Sequence, residues 1–240
     1  MSLTLTFADP RTAADLHTFV ARARQVDDGG IRLAVTGSVL AATVCVLRPP
    51  GFGESGPTVL GLRTMALADD AADGLDVTVP LGAVADRLAR TAENADDAAR
   101  RRLPVPPTTL TEPWAGIAAP RRGWERLGAV STAALRGAAR HGIELVRDAL
   151  PQDAGSAVLH TVRRAVLARS LLDSSAAGSF DAVADRVPVA AAYAAELLGF
   201  LPVAPRSADA ATSDDADAVV LAQGRWLRLS TARGHVLVKH

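Results

Sequence analysis

The chain has 240 residues, of which 49% are hydrophobic and 22% are charged, and its formal net charge is zero. This length allows one large or two small globular domains, and the composition provides enough apolar surface for a core. The single cysteine, Cys45, excludes an internal disulfide and a metal cage built from cysteines. No apolar run approaches the roughly 18 residues that cross a bilayer, and the N-terminus lacks the pattern of a signal peptide. We therefore expect a cytoplasmic protein with no membrane partner.

The basic residues are almost all arginines, since Lys239 is the only lysine. This bias is typical of a high-GC bacterial genome, so the number of arginines is not by itself evidence of phosphate binding. Aromatic residues make up only 4% of the chain. We therefore expect a small-residue, aliphatic core in which Trp114, Trp124 and Trp226 are isolated bulky anchors.

Charge is distributed unevenly along the chain. Residues 99–170 contain 12 arginines and 5 acidic residues, a net charge of +7, and residues 218–240 have a net charge of +4. Residues 1–98 and 171–217 carry net charges of −5 and −6. If the two basic segments fold side by side, they form one basic face that favours an anionic partner.

Residues 1–98 are predicted to form an antiparallel β-meander with two helices. Asp9 can accept unpaired amide hydrogens and Pro10 fits the first helical position, so a helix is predicted from there to about Gln25. The other predicted elements are strands at Ser2–Phe7, Ile31–Thr36, Val39–Leu47, Thr58–Leu67 and Leu75–Val79 and a helix at Pro80–Thr91. Antiparallel strands with helices against one face indicate an α+β domain.

Residues 99–119 are predicted to be a linker. They contain three successive arginines from Arg100 and then prolines at 104, 106 and 107. Proline at this density extends and stiffens a chain. The predicted organisation is therefore an α+β domain over 1–98, a Pro/Arg-rich linker over 99–119 and a mostly helical domain over 120–240.

The C-terminal region is predicted to be helical before it ends in a small β-sheet. Trp124, Leu127, Val130 and Ala134 lie near a 3.6-residue spacing, which indicates one helix over 120–150. The later predicted elements are helices from Val158, over Phe180–Val187 and over Val189–Leu198, and strands at Ala218–Gln223, Arg225–Ser230 and His235–Lys239. From Val158 onward this order resembles a winged-helix domain; no family is indicated for the whole chain.

The winged-helix resemblance implies a nucleic-acid interface or a protein contact. Its third helix would lie in the major groove and its hairpin would touch the backbone. The candidate nucleic-acid-binding residues are Arg163, Arg164, Arg225, Arg228 and Arg233. The third helix, Val189–Leu198, has no Arg, Lys, Asn or Gln with which to read a base edge. We therefore expect contact with the nucleic-acid backbone and no sequence reading.

No motif predicts a catalytic residue, a bound cofactor or a metal. Residues 51–56 match G-x-G-x-x-G, but prolines flank them and a β-rich run follows, so no helix can begin where a dinucleotide site needs one. His141 and Glu144 are three residues apart on a predicted helix, and a helical metal site needs further ligands. Single-sequence reasoning cannot find a polar cluster assembled from distant residues.

The leading functional hypothesis is a non-enzymatic interaction or regulatory module with nucleic-acid contact that is not sequence-specific. The alternative is a small-ligand-binding or sensor protein that uses a cleft between its two domains, where binding clefts commonly occur. The alanine-rich helix Val189–Leu198 further suggests a homodimer or a protein partner, since small side chains allow close approach and two-fold dimers are common.

Overall fold

A computed structural model describes residues 3–49, 56–149, 155–172, 183–202 and 217–240 of the chain. The chain divides into two compact units. The N-terminal unit comprises residues 1–46 and 61–118, and the C-terminal unit comprises residues 47–60 and 119–240. The α+β class predicted from the sequence is confirmed, because each unit contains both helices and antiparallel strands.

Six strands and three α-helices lie wholly or mostly in the described residues of the N-terminal unit. They are β1 (Thr4–Thr6), α1 (Pro10–Arg24), β2 (Gly30–Thr36), β3 (Val39–Leu47), β4 (Thr58–Ala66), β5 (Asp76–Pro80), α2 (Leu81–Ala92), α3 (Asp97–Arg100) and β6 (Arg102–Pro104). Strands β5, β2, β3 and β4 follow one another in the sheet in that order, and β1 pairs with β6 in a separate two-stranded sheet. Residues 99–119, predicted to be a linker, thus contribute a strand and also a 3₁₀ helix at Pro113–Gly116.

Helix α1 begins where its sequence predicts. The Asp9 carboxylate accepts a hydrogen bond from the backbone N–H of Thr12 at 2.8 Å, and Pro10 occupies the first turn. Buried apolar side chains recur at three- to four-residue intervals along the helix, which gives it one core-facing stripe. That stripe includes Leu16 and Phe19, and α1 packs against α2.

In its described residues, the C-terminal unit combines four antiparallel strands with three α-helices. Its elements are β7 (Glu125–Val130), α4 (Thr132–Asp148), α5 (Ser156–Leu167), α6 (Val189–Leu197), β8 (Ala218–Gln223), β9 (Trp226–Thr231) and β10 (Gly234–Lys239). The strand order is β10-β9-β8-β7, with antiparallel pairing throughout and an irregularity between Arg126 and Gly128 in β7. Helix α4 packs on α6, and α6 packs on β10.

The prediction of a mostly helical, winged-helix-like C-terminal domain is wrong. Residues 125–130 form strand β7 and pair with β8, so the terminal meander belongs to a larger sheet. Helix α4 begins only after Ser131, whose hydroxyl accepts a hydrogen bond from the N–H of Ala134 at 3.1 Å. The helical spacing of Leu127 and Val130 misled because a β-bulge at this point breaks the strict alternation of a strand.

The described part of the predicted helix Phe180–Val187 is not an α-helix. Residues 180–182 lie outside the described residues, and residues 184–186 form one 3₁₀ turn that ends at Val187. Without a full helix at this place, the described elements do not have the three-helix order of a winged helix.

Helix α6 is a packing element of its own unit. Ala190, Ala191, Ala192 and Ala194 are all fully buried, at 0% exposure. Helix α4 and strand β10 pack against this helix within the unit, and the homodimer or protein partner expected from the alanine-rich helix stays a prediction. Small side chains do allow close approach here, but they bring α6 near the helix and strand of the same unit.

Candidate nucleic-acid interface

One face of the C-terminal sheet is rich in basic and aromatic side chains. Residues paired directly across antiparallel strands point to the same side of a sheet, so the strand register defines this face. Its members, called here the basic sheet face, are Arg126, Ala129, Val219, Leu221, Gln223, Trp226, Arg228, Ser230, His235, Leu237 and Lys239. Among these described strand positions there is no Asp or Glu.

Arg228 lies at the middle of the basic sheet face and is held by two neighbours. Its guanidinium lies over the ring of Trp124, 6.0 Å from the ring centroid, and its Nη2 donates to Nε2 of His235 at 3.0 Å. Since Nε2 accepts, the ring proton of His235 lies on Nδ1, which is 3.2 Å from the hydroxyl oxygen of Ser230. The Nε–H of Arg228 is buried and has no hydrogen-bond partner among the described residues.

The titration of two histidines reflects their basic surroundings. Burial and, next, the nearby Arg228 guanidinium lower the pKa of His235 from 6.5 to about 4. Burial also lowers the pKa of His240, to which Arg186 and Arg225 contribute as like charges. The pKa of Arg228 is itself lowered by burial. In both histidines burial is the larger cause, and the neighbouring charges that lower the pKa further are arginines.

The end of the sheet near the β8–β9 turn holds a second group of cations. The Lys239 ammonium lies over the ring of Trp226, 5.9 Å from its centroid. The carbonyl of Arg225 accepts a hydrogen bond from the N–H of His240 at 3.0 Å, which fixes the turn against the end of β10. A cation held over an aromatic face keeps its charge while part of its side chain is ordered.

The structure separates the five arginines predicted to contact nucleic acid. Arg163 and Arg164 lie on α5, and Arg163 donates from Nη2 to the Tyr193 hydroxyl at 3.0 Å with its guanidinium over the same ring. Arg225 and Arg233 are exposed in the turns at opposite ends of β9, which are roughly 17 Å apart at the rise of a β-strand. Only Arg228 belongs to the basic sheet face.

Sequence reasoning missed most of the basic sheet face. Arg126 was placed on a helix, and Trp124 and Trp226 were expected to be core anchors. Trp226 is buried, but Trp124 is only half-buried and stacks on Arg228. The available signal was the alternation of polar and apolar residues in β9 and β10, which places Arg228, His235 and Lys239 on one side.

Residues 51–55 of the G-x-G-x-x-G match lie outside the described residues. In the described ranges, no three His, Cys, Asp or Glu side chains group so that they could hold a metal ion. In the same ranges, no helix has both the length and the apolar character needed to cross a membrane.

The chain resembles bacterial DNA polymerase sliding clamps in fold. The DNA polymerase sliding clamp from Caulobacter crescentus matches with a TM-score of 0.51 and 13% identity over 99% of this chain. A second structure, Caulobacter crescentus pol III beta, matches with a TM-score of 0.50 and 13% identity over 99% of this chain. The chain spans 65% of the length of each of these clamp chains. The match covers nearly the whole chain, and it replaces the winged-helix resemblance.

Two family models match the amino-acid sequence, and both describe domains of unknown function. No curated protein sequence matches the chain. Residues 1–116 match the model of a domain of unknown function, DUF8010. Residues 119–240, just over half of the chain, match the model of another domain of unknown function, DUF8185. The chain, a protein of sliding-clamp-like fold, therefore belongs to the family described as domain of unknown function DUF8185.

Proposed function

We propose that this protein is a non-enzymatic, DNA-associated binding protein whose C-terminal unit contacts nucleic-acid phosphates without reading base sequence. The observation that carries the proposal is the basic sheet face, where Arg126, Arg228 and Lys239 share one surface with no Asp or Glu at its described strand positions. The fold similarity to proteins named DNA polymerase sliding clamps supports the association with DNA. It does not identify the contact surface.

The spacing of the cations suits an extended anionic chain. Arg126 and Arg228 are both in register with Leu221, so they lie two strands apart, or about 10 Å. Lys239 lies on the next strand, opposite Trp226. Phosphate contacts from Arg and Lys position a protein on nucleic acid, whereas base-edge contacts supply sequence specificity. Arg228 is already bound to His235 and Trp124, so little side-chain ordering remains for a phosphate contact.

The affinity of the protein for DNA is expected to fall steeply as the salt concentration rises. Three phosphate contacts give a slope of about −3 in a plot of log affinity against log salt for duplex DNA, or about a 40-fold loss from roughly 50 to 200 mM salt. The double substitution Arg126→Glu and Lys239→Glu should weaken binding at low salt by tenfold or more and bring the slope close to −1. Fluorescence anisotropy with labelled DNA of two unrelated sequences measures both effects.

The matched control is Arg90→Glu, which reverses an exposed charge on α2 in the N-terminal unit. It should leave affinity and slope within twofold of the native protein. The absence of binding at low salt, or an equal loss in the control, would overturn the proposal. A large difference between the two DNA sequences would contradict backbone recognition.

The other four arginines predicted from the sequence lie outside the basic sheet face, and we expect them to contribute less to binding. Arg225 and Arg233 are exposed in turns and are expected to add weaker, more strongly screened contacts. Arg163→Glu and Arg164→Glu should have smaller effects than the sheet-face substitutions, because both arginines lie on α5 and neither belongs to the basic sheet face. Self-association stays a prediction, and sedimentation of the full chain measures it.

A further inference from the structure

A small pocket lies within the N-terminal unit, between α1, α2 and α3. Its volume is about 160 Å³. Its apolar wall is formed by Ala13 and Ala14 of α1 and by Leu88 and Ala92 of α2. Alanines at these positions leave the space that larger side chains would fill, so the two packed helices have an opening at this end.

Three polar side chains line the same pocket. His17 is half-buried and has no hydrogen-bond partner among the described residues. The Thr91 hydroxyl donates to the carbonyl of Arg87 at 3.1 Å, so its oxygen can still accept a hydrogen bond. Arg100 donates from Nη2 to Asp97, while its Nε–H is buried and has no acceptor among the described residues.

This combination of groups favours an anion with a short apolar tail. A buried donor without an acceptor is unfavourable, and a carboxylate oxygen is the acceptor that a guanidinium binds best. No Asp or Glu lines the pocket, so a bound anion meets no like charge at the wall. At about 30 Å³ for each water molecule, the volume equals roughly five waters, which is enough for a carboxylate and a tail of two or three carbons.

We propose that this pocket binds a small organic monocarboxylate, with Arg100 and His17 facing the carboxylate and the alanines and Leu88 facing the tail. The site is independent of the basic sheet face, since all its residues belong to the N-terminal unit. A ligand here would agree with the alternative hypothesis of a small-ligand-binding protein, but with the site inside one unit. Arg100 lines the pocket and its side chain is 41% exposed, so its guanidinium has room to turn toward the ligand.

The test is a titration of the full chain with sodium butyrate, followed by nuclear magnetic resonance of the His17 ring and the Thr91 amide. Saturable shifts with a Kd in the range of about 1–10 mM are expected for so small a ligand. Arg100→Gln should weaken binding at least tenfold by removing the cation. Ala14→Leu, at an exposed position that lines the pocket, should abolish binding by filling the space.

Two controls separate this site from general anion binding. Arg90→Gln removes an exposed arginine of α2 that does not line the pocket, and it should leave the butyrate Kd unchanged. n-Butanol, which has the same tail without the charge, should bind at least tenfold more weakly than butyrate. No saturable shift at His17 up to about 50 mM butyrate, equal binding of butanol, or unchanged binding in Arg100→Gln would each overturn the proposal.

Discussion

Replacing Gly234 with alanine is expected to destabilise the C-terminal unit by about 3 kcal/mol, the upper end of what overpacking a core costs. A Cβ atom at this position would lie 2.4, 2.6 and 2.8 Å from three carbons of the Phe200 ring. Phe200 is only 1% exposed, so its ring has little room to retreat. Gly234 also has a φ of +159°, a conformation that L-residues rarely adopt.

The matched control for this prediction is Gly224→Ala. Gly224 has a φ of +55°, and nothing lies within 4 Å of its would-be Cβ, so the substitution isolates backbone strain of about 1 kcal/mol. Urea unfolding followed by tryptophan fluorescence measures both losses. In the double variant Gly234→Ala with Phe200→Leu, the smaller side chain should recover about 1–2 kcal/mol relative to additivity. A loss in Gly234→Ala no greater than in Gly224→Ala would contradict the steric argument.

Lowering the pH from 7 to 5 should reduce the free energy of unfolding of the C-terminal unit by about 2 kcal/mol through His235 alone. The folded-state pKa of His235 is about 4, whereas its ordinary value is 6.5. In this window the unfolded chain binds the proton and the folded chain does not, so acid favours unfolding. The effect is absent above pH 6.5 and reaches its full size, at most about 3 kcal/mol, below pH 4.

The variant His235→Gln tests whether His235 causes this pH dependence of the unfolding free energy. Its side-chain amide can accept from Arg228 and donate to Ser230, but it does not titrate. Its unfolding free energy, from urea titrations at pH 7 and pH 5, should change by about 2 kcal/mol less than that of the native chain. The carboxylates of Asp9 and Asp28 have pKa values lowered by hydrogen bonds, from Thr12 and Arg24 respectively, so their contributions are lost only at more acidic pH. An equal pH dependence in both proteins would show that His235 is not the group responsible.

The sequence predicted helices α1 and α2 and strands β2 to β5 because each carries local signals, whereas α3 and β6 were not predicted. Asp9 and Pro10 mark the start of α1, the apolar stripe of α1 follows the helical period, and the strands are rich in β-branched residues. Strand β7 has no comparable signal. It contains a bulge and pairs with β8, from which residues 131–217 separate it, so no local pattern reveals the pairing. The winged-helix resemblance rested on the element order from Val158 onward, and it is wrong because residues 184–186 form only a 3₁₀ turn and the terminal meander pairs with β7.

The candidate site was predicted only as far as the meander was. The sequence pattern of β9 and β10 points to Arg228, whereas the helical spacing around Arg126 conceals its strand. The contact between Arg163 and Tyr193 is a second feature that the sequence does not predict. The two residues are 30 positions apart in sequence, and a basic residue on a helix surface gives no indication that an aromatic ring from another helix will contact it.

Strand β7 has a further consequence for how this protein is handled. It is the outermost strand of its sheet, and its exposed charges at Glu125 and Arg126 together with its bulge discourage pairing with another molecule. The neighbouring strand in the sheet is β8. Its sequence, Ala-Val-Val-Leu-Ala-Gln, has no charge and a high β propensity. A fragment that begins after residue 130 would leave this apolar strand as an open edge and aggregate through it. Expression boundaries for the C-terminal unit therefore have to include residue 125, since β7 protects the unit's solubility as well as completing its sheet.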